Sequence, residues 1–153
     1  MTTKRILSLV IVLVMGSQFV FANYAFYRKV SSTCKFYRVS VDEKKMALTK
    51  NADGSYSFSI EIESLRNNFE MVMLVGFISV GQAINHQKSF AKKKTGYAAI
   101  IPADTEVTVT IPVSREKTII TAKATAEQVR RLTDGKIDTA GFMRLIKDSI
   151  QTL

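Results

Sequence analysis

The sequence predicts an α+β fold: an antiparallel sheet of about four to six strands, covered on one face by a long apolar helix and two shorter C-terminal helices. Three observations lead there. In Ser55–Glu63, SYSFSIEIE, the residues Tyr56, Phe58, Ile60 and Ile62 alternate with serines and glutamates. Successive strand side chains point to opposite faces, so this sheet has one buried face and one wet one. Met71 to Ile84 is a run of fourteen residues without a charge, too short to cross a bilayer. After Thr125 the apolar period changes from two to about 3.6.

The elements follow in order. Lys4 and Arg5 precede an apolar core of eleven residues, Ile6–Gly16, interrupted only by Ser8, and Val20 and Ala22 hold the small-residue positions of a cleavage site. Residues 1–22 therefore form a secretory signal pattern, cut after Ala22, and 23–153 form a single α+β domain. A second reading keeps 6–22 as an N-terminal anchor. Its seventeen residues are the lower limit of a span, and Tyr24, Phe26 and Tyr27 follow as at a membrane interface. Both readings place the body outside the cytoplasm: periplasmic or secreted after cleavage, or anchored at the inner membrane.

Residues 23–35 show no clean period and read as a lead-in. Phe36–Val41 alternates as a strand with Tyr37, Val39 and Val41 on one face, and Lys44–Lys50 is a second strand. Asn51–Gly54 is a turn. The apolar run predicts one helix over 66–90, started by Ser64, Asn67 or Asn68 and ended among lysines that suit a helix C-terminus. Apolar residues surround this helix on most sides, so it is buried. Gly76, Ser79 and Ala83 then give a face on which a strand backbone can approach closely. Residues 96–101, GYAAII, read as a short strand. Val107, Val109, Ile111 and Val113 line one face of another, which lies at an edge or ends at Pro112. Ser114–Glu116 turns the chain into the returning strand, Lys117–Ala124. Thr125 and Gln128 have capping-box spacing before a short helix ended by Gly135. Asp138 or Thr139 caps the last helix, lined by Phe142, Leu145, Ile146 and Ile150.

Composition sets the function classes. The 153 residues are 46% hydrophobic and 23% charged, as in a folded domain, and carry a formal charge of +9. Losing Lys4 and Arg5 with the leader lowers this to +7. The chain has one cysteine and one histidine, so no internal disulfide forms and no His/Cys set can fill a tetrahedral metal site. Cys34 is expected to be a buried thiol, with an intermolecular disulfide as the other reading. His86, among Asn85, Gln87 and Lys88, is expected to be solvated. Gly76 and Gly81 have phosphate-loop spacing, but Gln82 and Ala83 stand where Lys and Ser/Thr are needed. Glu61 and Glu63 share a strand face as exposed carboxylates rather than a glycosidase pair.

The densest basic segment, Lys88, Lys92, Lys93 and Lys94 with Phe90 and Tyr97, is the candidate contact for a partner or an anionic surface. No cofactor, metal or nucleic-acid partner is expected, and membrane contact runs through residues 6–22. The reading of function is an exported, non-catalytic accessory or interaction protein of the bacterial cell envelope. Its alternatives are a membrane-anchored envelope protein and a small exported hydrolase using Cys34 and His86.

Overall fold

A computed structural model describes residues 22–113 and 116–153. The predicted leader lies outside these residues except for Ala22, as do Ser114 and Arg115 of the predicted turn. The described elements are α1 (22–36), β1 (Met46–Lys50), β2 (Tyr56–Glu63), α2 (Phe69–Lys93), β3 (Asp104–Val113), β4 (Glu116–Thr125), α3 (Ala126–Thr133), α4 (Thr139–Ile146) and β5 (Gln151–Thr152). Short 3-10 turns occupy Glu43–Lys45 and Lys147–Ser149.

The fold is α+β, with a five-stranded sheet in the order β1-β2-β3-β4-β5. The sheet is mixed, not purely antiparallel: β2 and β3 run parallel, in register from Ser57 opposite Asp104 to Glu63 opposite Thr110. The long helix between them causes this. A parallel neighbour needs a crossover that returns the chain to its starting end, and α2 supplies it. Alternation reports only that one face is wet, so it is blind to strand direction.

The buried face carries Phe58, Ile60 and Ile62 of β2, Val107, Val109 and Ile111 of β3, and Ala122 and Ala124 of β4. The opposite face carries Ser59, Glu61, Thr108, Thr110 and Lys123, with Thr108 and Thr121 hydrogen-bonded through their hydroxyls at 3.1 Å. β3 is a central strand. Pro112 sits beyond the last β2 pairing, at Thr110, so its missing N–H leaves no neighbour unpaired on that side.

α2 starts three residues later than its sequence suggests. The chain before it is used by a turn in which the Ser64 hydroxyl donates to the Asn68 side-chain oxygen at 2.7 Å. Its two glycines face different neighbours, because five residues turn a helix by roughly 140°. A Cβ on Gly76 would lie 2.8 Å from Val107 Cγ1 of the sheet, whereas one on Gly81 would lie 2.8 Å from Thr133 Cβ of α3. Ser79 faces Cys34 of α1. The expected single face of Gly76, Ser79 and Ala83 against a strand backbone is thus divided: Gly76 meets a sheet side chain and Ser79 meets the side chain of Cys34 on α1.

Three stretches differ from the sequence reading. Residues 22–36 form a helix rather than a lead-in, and it buries Phe26, Val30 and Cys34 at a spacing of four. Phe36–Val41 is no strand. There α1 ends, and the Val39 N–H donates to the Cys34 carbonyl at 2.9 Å while the Arg38 N–H donates to the Lys35 carbonyl at 3.0 Å. These paired bonds are a Schellman ending, with Arg38 in the left-handed region at φ 61°. Residues 96–101 are irregular too, since the Ile100 N–H goes to the Gln87 side chain instead of a strand.

The C-terminal helices follow their signals. Thr125 and Gln128 make the reciprocal capping box, and Asp138 caps α4 through the Gly141 N–H. Phe142 of α4 meets Phe77 of α2 edge-on at 5.2 Å between ring centroids. α4 is shorter than expected, and the chain then adds β5 to the edge of β4. At the other edge, the Leu48 N–H donates to the Tyr27 hydroxyl at 2.8 Å, which occupies one donor of the open strand β1.

Candidate interaction site

The residues that carry chemistry in the sequence are separated in the structure. Cys34 is fully buried, with its sulfur 3.1 Å from the Ser79 hydroxyl. That hydroxyl donates to the Val75 carbonyl at 2.7 Å, so the thiol is the donor in the pair. Burial pushes the Cys34 thiol above its ordinary pKa, opposed only in part by Ser79. A protonated, enclosed thiol is a poor nucleophile, and an intermolecular bridge from this sulfur requires α1 to lift from α2. His86 is exposed two turns further along α2, stacked on Phe90 at 6.4 Å. Nothing brings it to Cys34.

Glu61 and Glu63 point off the open sheet face. The hydrogen bond from Lys45, at 3.1 Å, holds the Glu63 carboxyl below the usual range. Gly76 and Gly81 lie inside α2, where their N–H groups belong to the helix ladder and are not free for a phosphate. Among the described residues no three His, Cys, Asp or Glu side chains gather as a metal site. None of the described helices is long and apolar enough to cross a membrane.

Two surface features remain. The first is a cleft of about 460 Å³ where the end of α1 meets the β2–α2 connection, lined by Tyr37, Arg38, Leu65, Arg66, Met71 and Val72 among others. Leu65 is 94% exposed and Phe36 beside the cleft is 80% exposed. Smaller hollows of about 330 and 380 Å³ adjoin it, one reaching Lys29 and Phe36 and the other Lys35 and Arg38. Apolar tips in a basic ring are therefore the local chemistry. No carboxylate occurs between residues 22 and 41.

Arg38 stands out in this ring. A left-handed backbone costs an L-residue about 1–2 kcal/mol, which is why glycine usually holds this position of a helix ending. Arg38→Gly is expected to raise stability by about 1 kcal/mol, read as a higher urea midpoint with an unchanged slope.

The second feature is the basic segment. Lys92, Lys93 and Lys94 are exposed and Lys88 half-buried at the C-terminal end of α2. The Lys94 ammonium lies 5.8 Å from the Phe90 ring centre, and Phe90 meets Tyr97 edge-on at 4.8 Å. The segment is legible in the sequence, whereas the cleft is not. Its signal is faint: Leu65 breaks the alternation between Ser64 and Arg66, and Phe36–Tyr37 follows the last buried position of α1.

No protein-family model, curated protein or solved structure matches this chain.

Proposed function

We propose that this chain is an exported, non-catalytic protein of the bacterial cell envelope, and that the cleft beside Arg38 holds an acidic, amphipathic segment of a partner protein. The observation that carries this reading is the exposed set Phe36, Tyr37, Leu65 and Met71 bordered by Lys29, Lys35, Arg38 and Arg66. Apolar side chains with arginine at their rim are the composition of a binding hot spot. A rim that carries Lys29, Lys35, Arg38 and Arg66 favours a partner of opposite charge. A strained arginine where glycine is the cheaper choice also supports a role for its side chain. Export is supported by the signal pattern of residues 1–22.

The test is capture of partners from a native envelope fraction by the full chain, with the contacted partner segment read by cross-linking. The expected result is one partner segment carrying carboxylates and apolar residues, held at physiological salt. Leu65→Glu together with Arg38→Glu should weaken its capture at least about tenfold, the cost of removing a central hot-spot contact. Capture that is indifferent to both substitutions removes the cleft from the function.

A further inference from the structure

We infer that the residues before the predicted cleavage point stay attached in the working protein, and that the end of the fold they enter lies against an anionic lipid surface through Lys88, Lys92, Lys93 and Lys94. This rests on the export reading of residues 1–22 and is independent of the cleft's partner.

Cleavage after Ala22 removes a residue that the fold uses. Ala22 is 2% exposed, and its carbonyl accepts a hydrogen bond from Gln87 Nε2 at 3.2 Å. Gln87 is itself buried, and its other atom, Oε1, accepts from the Tyr97 hydroxyl at 2.8 Å and from the Ile100 N–H at 3.3 Å. One side chain thus ties the start of α1, the body of α2 and the 94–103 connection together. A chain beginning at Asn23 leaves the Gln87 amide without that acceptor. It also places a new ammonium at a partly buried position, where an unpaired charge is costly.

The same bond locates the point of entry. α1 and α2 run antiparallel: Ala22 meets Gln87, Cys34 meets Ser79, and Tyr37 and Val39 share the cleft with Met71 and Val72. Ala22, the last residue of the predicted leader, therefore lies toward the end where α2 finishes. There the four lysines stand, with no carboxylate between Glu70 and Asp104 and no ion pair to any of the four among the described residues. The helix dipole accounts for Lys92 and Lys93 in the last turn, but Lys88 precedes that turn and Lys94 follows it. Tyr24 and Phe90 are exposed at this end, as aromatic side chains are at a headgroup layer.

A nucleic-acid strand would need aromatic faces free for stacking, whereas Phe90 is packed edge-on to Tyr97. Each lysine near an anionic leaflet favours contact by about fivefold, so four together favour it by several hundredfold. The cleft sits at the far end of α1, about 21 Å of helix away, open to solvent.

The chain contains no tryptophan, so a single introduced one reports its own position. Full-length F90W and F36W are each reconstituted in vesicles of brominated phosphatidylglycerol or brominated phosphatidylcholine. F90W is expected to be quenched several-fold more in the anionic vesicles than in the zwitterionic ones, and F36W in neither. K88Q/K92Q/K93Q/K94Q on F90W should bring that ratio to about one with the circular dichroism spectrum unchanged. The intact mass of protein taken from the native envelope should begin at Met1 or Thr2. An N-terminus at Asn23, equal quenching of F90W and F36W, or an F90W signal that answers only to a soluble polyanion overturns the inference. Partner capture lost while these lipid and N-terminus readings stand overturns only the cleft's role, and the reverse pattern overturns only this inference.

Discussion

Phe26→Ala is expected to lower the unfolding free energy by about 4 kcal/mol, the largest loss of any substitution considered. Phe26 is fully buried, and its ring centre lies 5.1 Å from that of Phe58, tilted by 60°. Phe58 is an inner residue of β2, so this pair is where α1 clamps the sheet. Truncation removes the transfer energy of a whole ring, and the neighbours are too fixed to refill the space: Tyr27 is held by its bond to the Leu48 N–H. A domain of this size has about 5–15 kcal/mol of stability in total, so a large share of the margin depends on one contact of α1. Urea titration measures it directly. A loss under about 1 kcal/mol means that α1 is an appendage and not part of the domain.

Gly81→Ala is expected to cost about 2 kcal/mol, against the direction that helix propensity predicts. In an exposed helix interior the change from Gly to Ala gains about 1 kcal/mol. Here the new methyl group meets Thr133 of α3, with Cβ to Cβ only 2.8 Å. Thr133 cannot easily turn away, since its hydroxyl donates to the Val129 carbonyl at 2.9 Å. α3 must therefore move off α2. Thr133→Gly in the same chain should recover at least about 1 kcal/mol of the loss, a coupling that only neighbouring residues show. Thermal or urea unfolding of the two single variants and the double variant gives the cycle. Independent, additive losses would mean the two helices do not meet at these residues.

The legible parts of this fold were those written in local periodicity. Tyr56 to Glu63, Val107 to Ile111 and the Thr125–Gln128 capping box all declare their element within a few residues. The parallel β2–β3 pair does not, because alternation is the same in either direction and the crossover is inferred only once α2 is known to join neighbouring strands. α1 carried a true signal in Phe26, Val30 and Cys34, but Tyr24, Tyr27 and Phe36 lie off that line and blur it. Tyr37, Val39 and Val41 alternate by accident of a helix ending that turns Val39 back into the core.

The candidate surfaces divide in the same way. Four lysines in seven residues are visible in any reading of the chain, yet their closeness to Ala22 depends on α1 and α2 running antiparallel. The cleft draws Tyr37 and Arg38 from one segment and Leu65, Arg66 and Met71 from another. Neither segment is unusual by itself, so only the three-dimensional arrangement reveals the pair.

The parallel pairing of β2 with β3 also governs when the chain can become folded at all. Ser57 bonds Asp104, 47 positions further along the chain, so the middle of the sheet waits until the polypeptide has been made past residue 104. Contacts this distant along the chain slow folding. Until they form, Phe58, Ile60 and Ile62 have no partner strand on one side and are open to aggregation. A nascent chain halted before residue 104 should stay unfolded and protease-sensitive, and release past residue 125, which completes the β3–β4 hairpin, should trigger collapse.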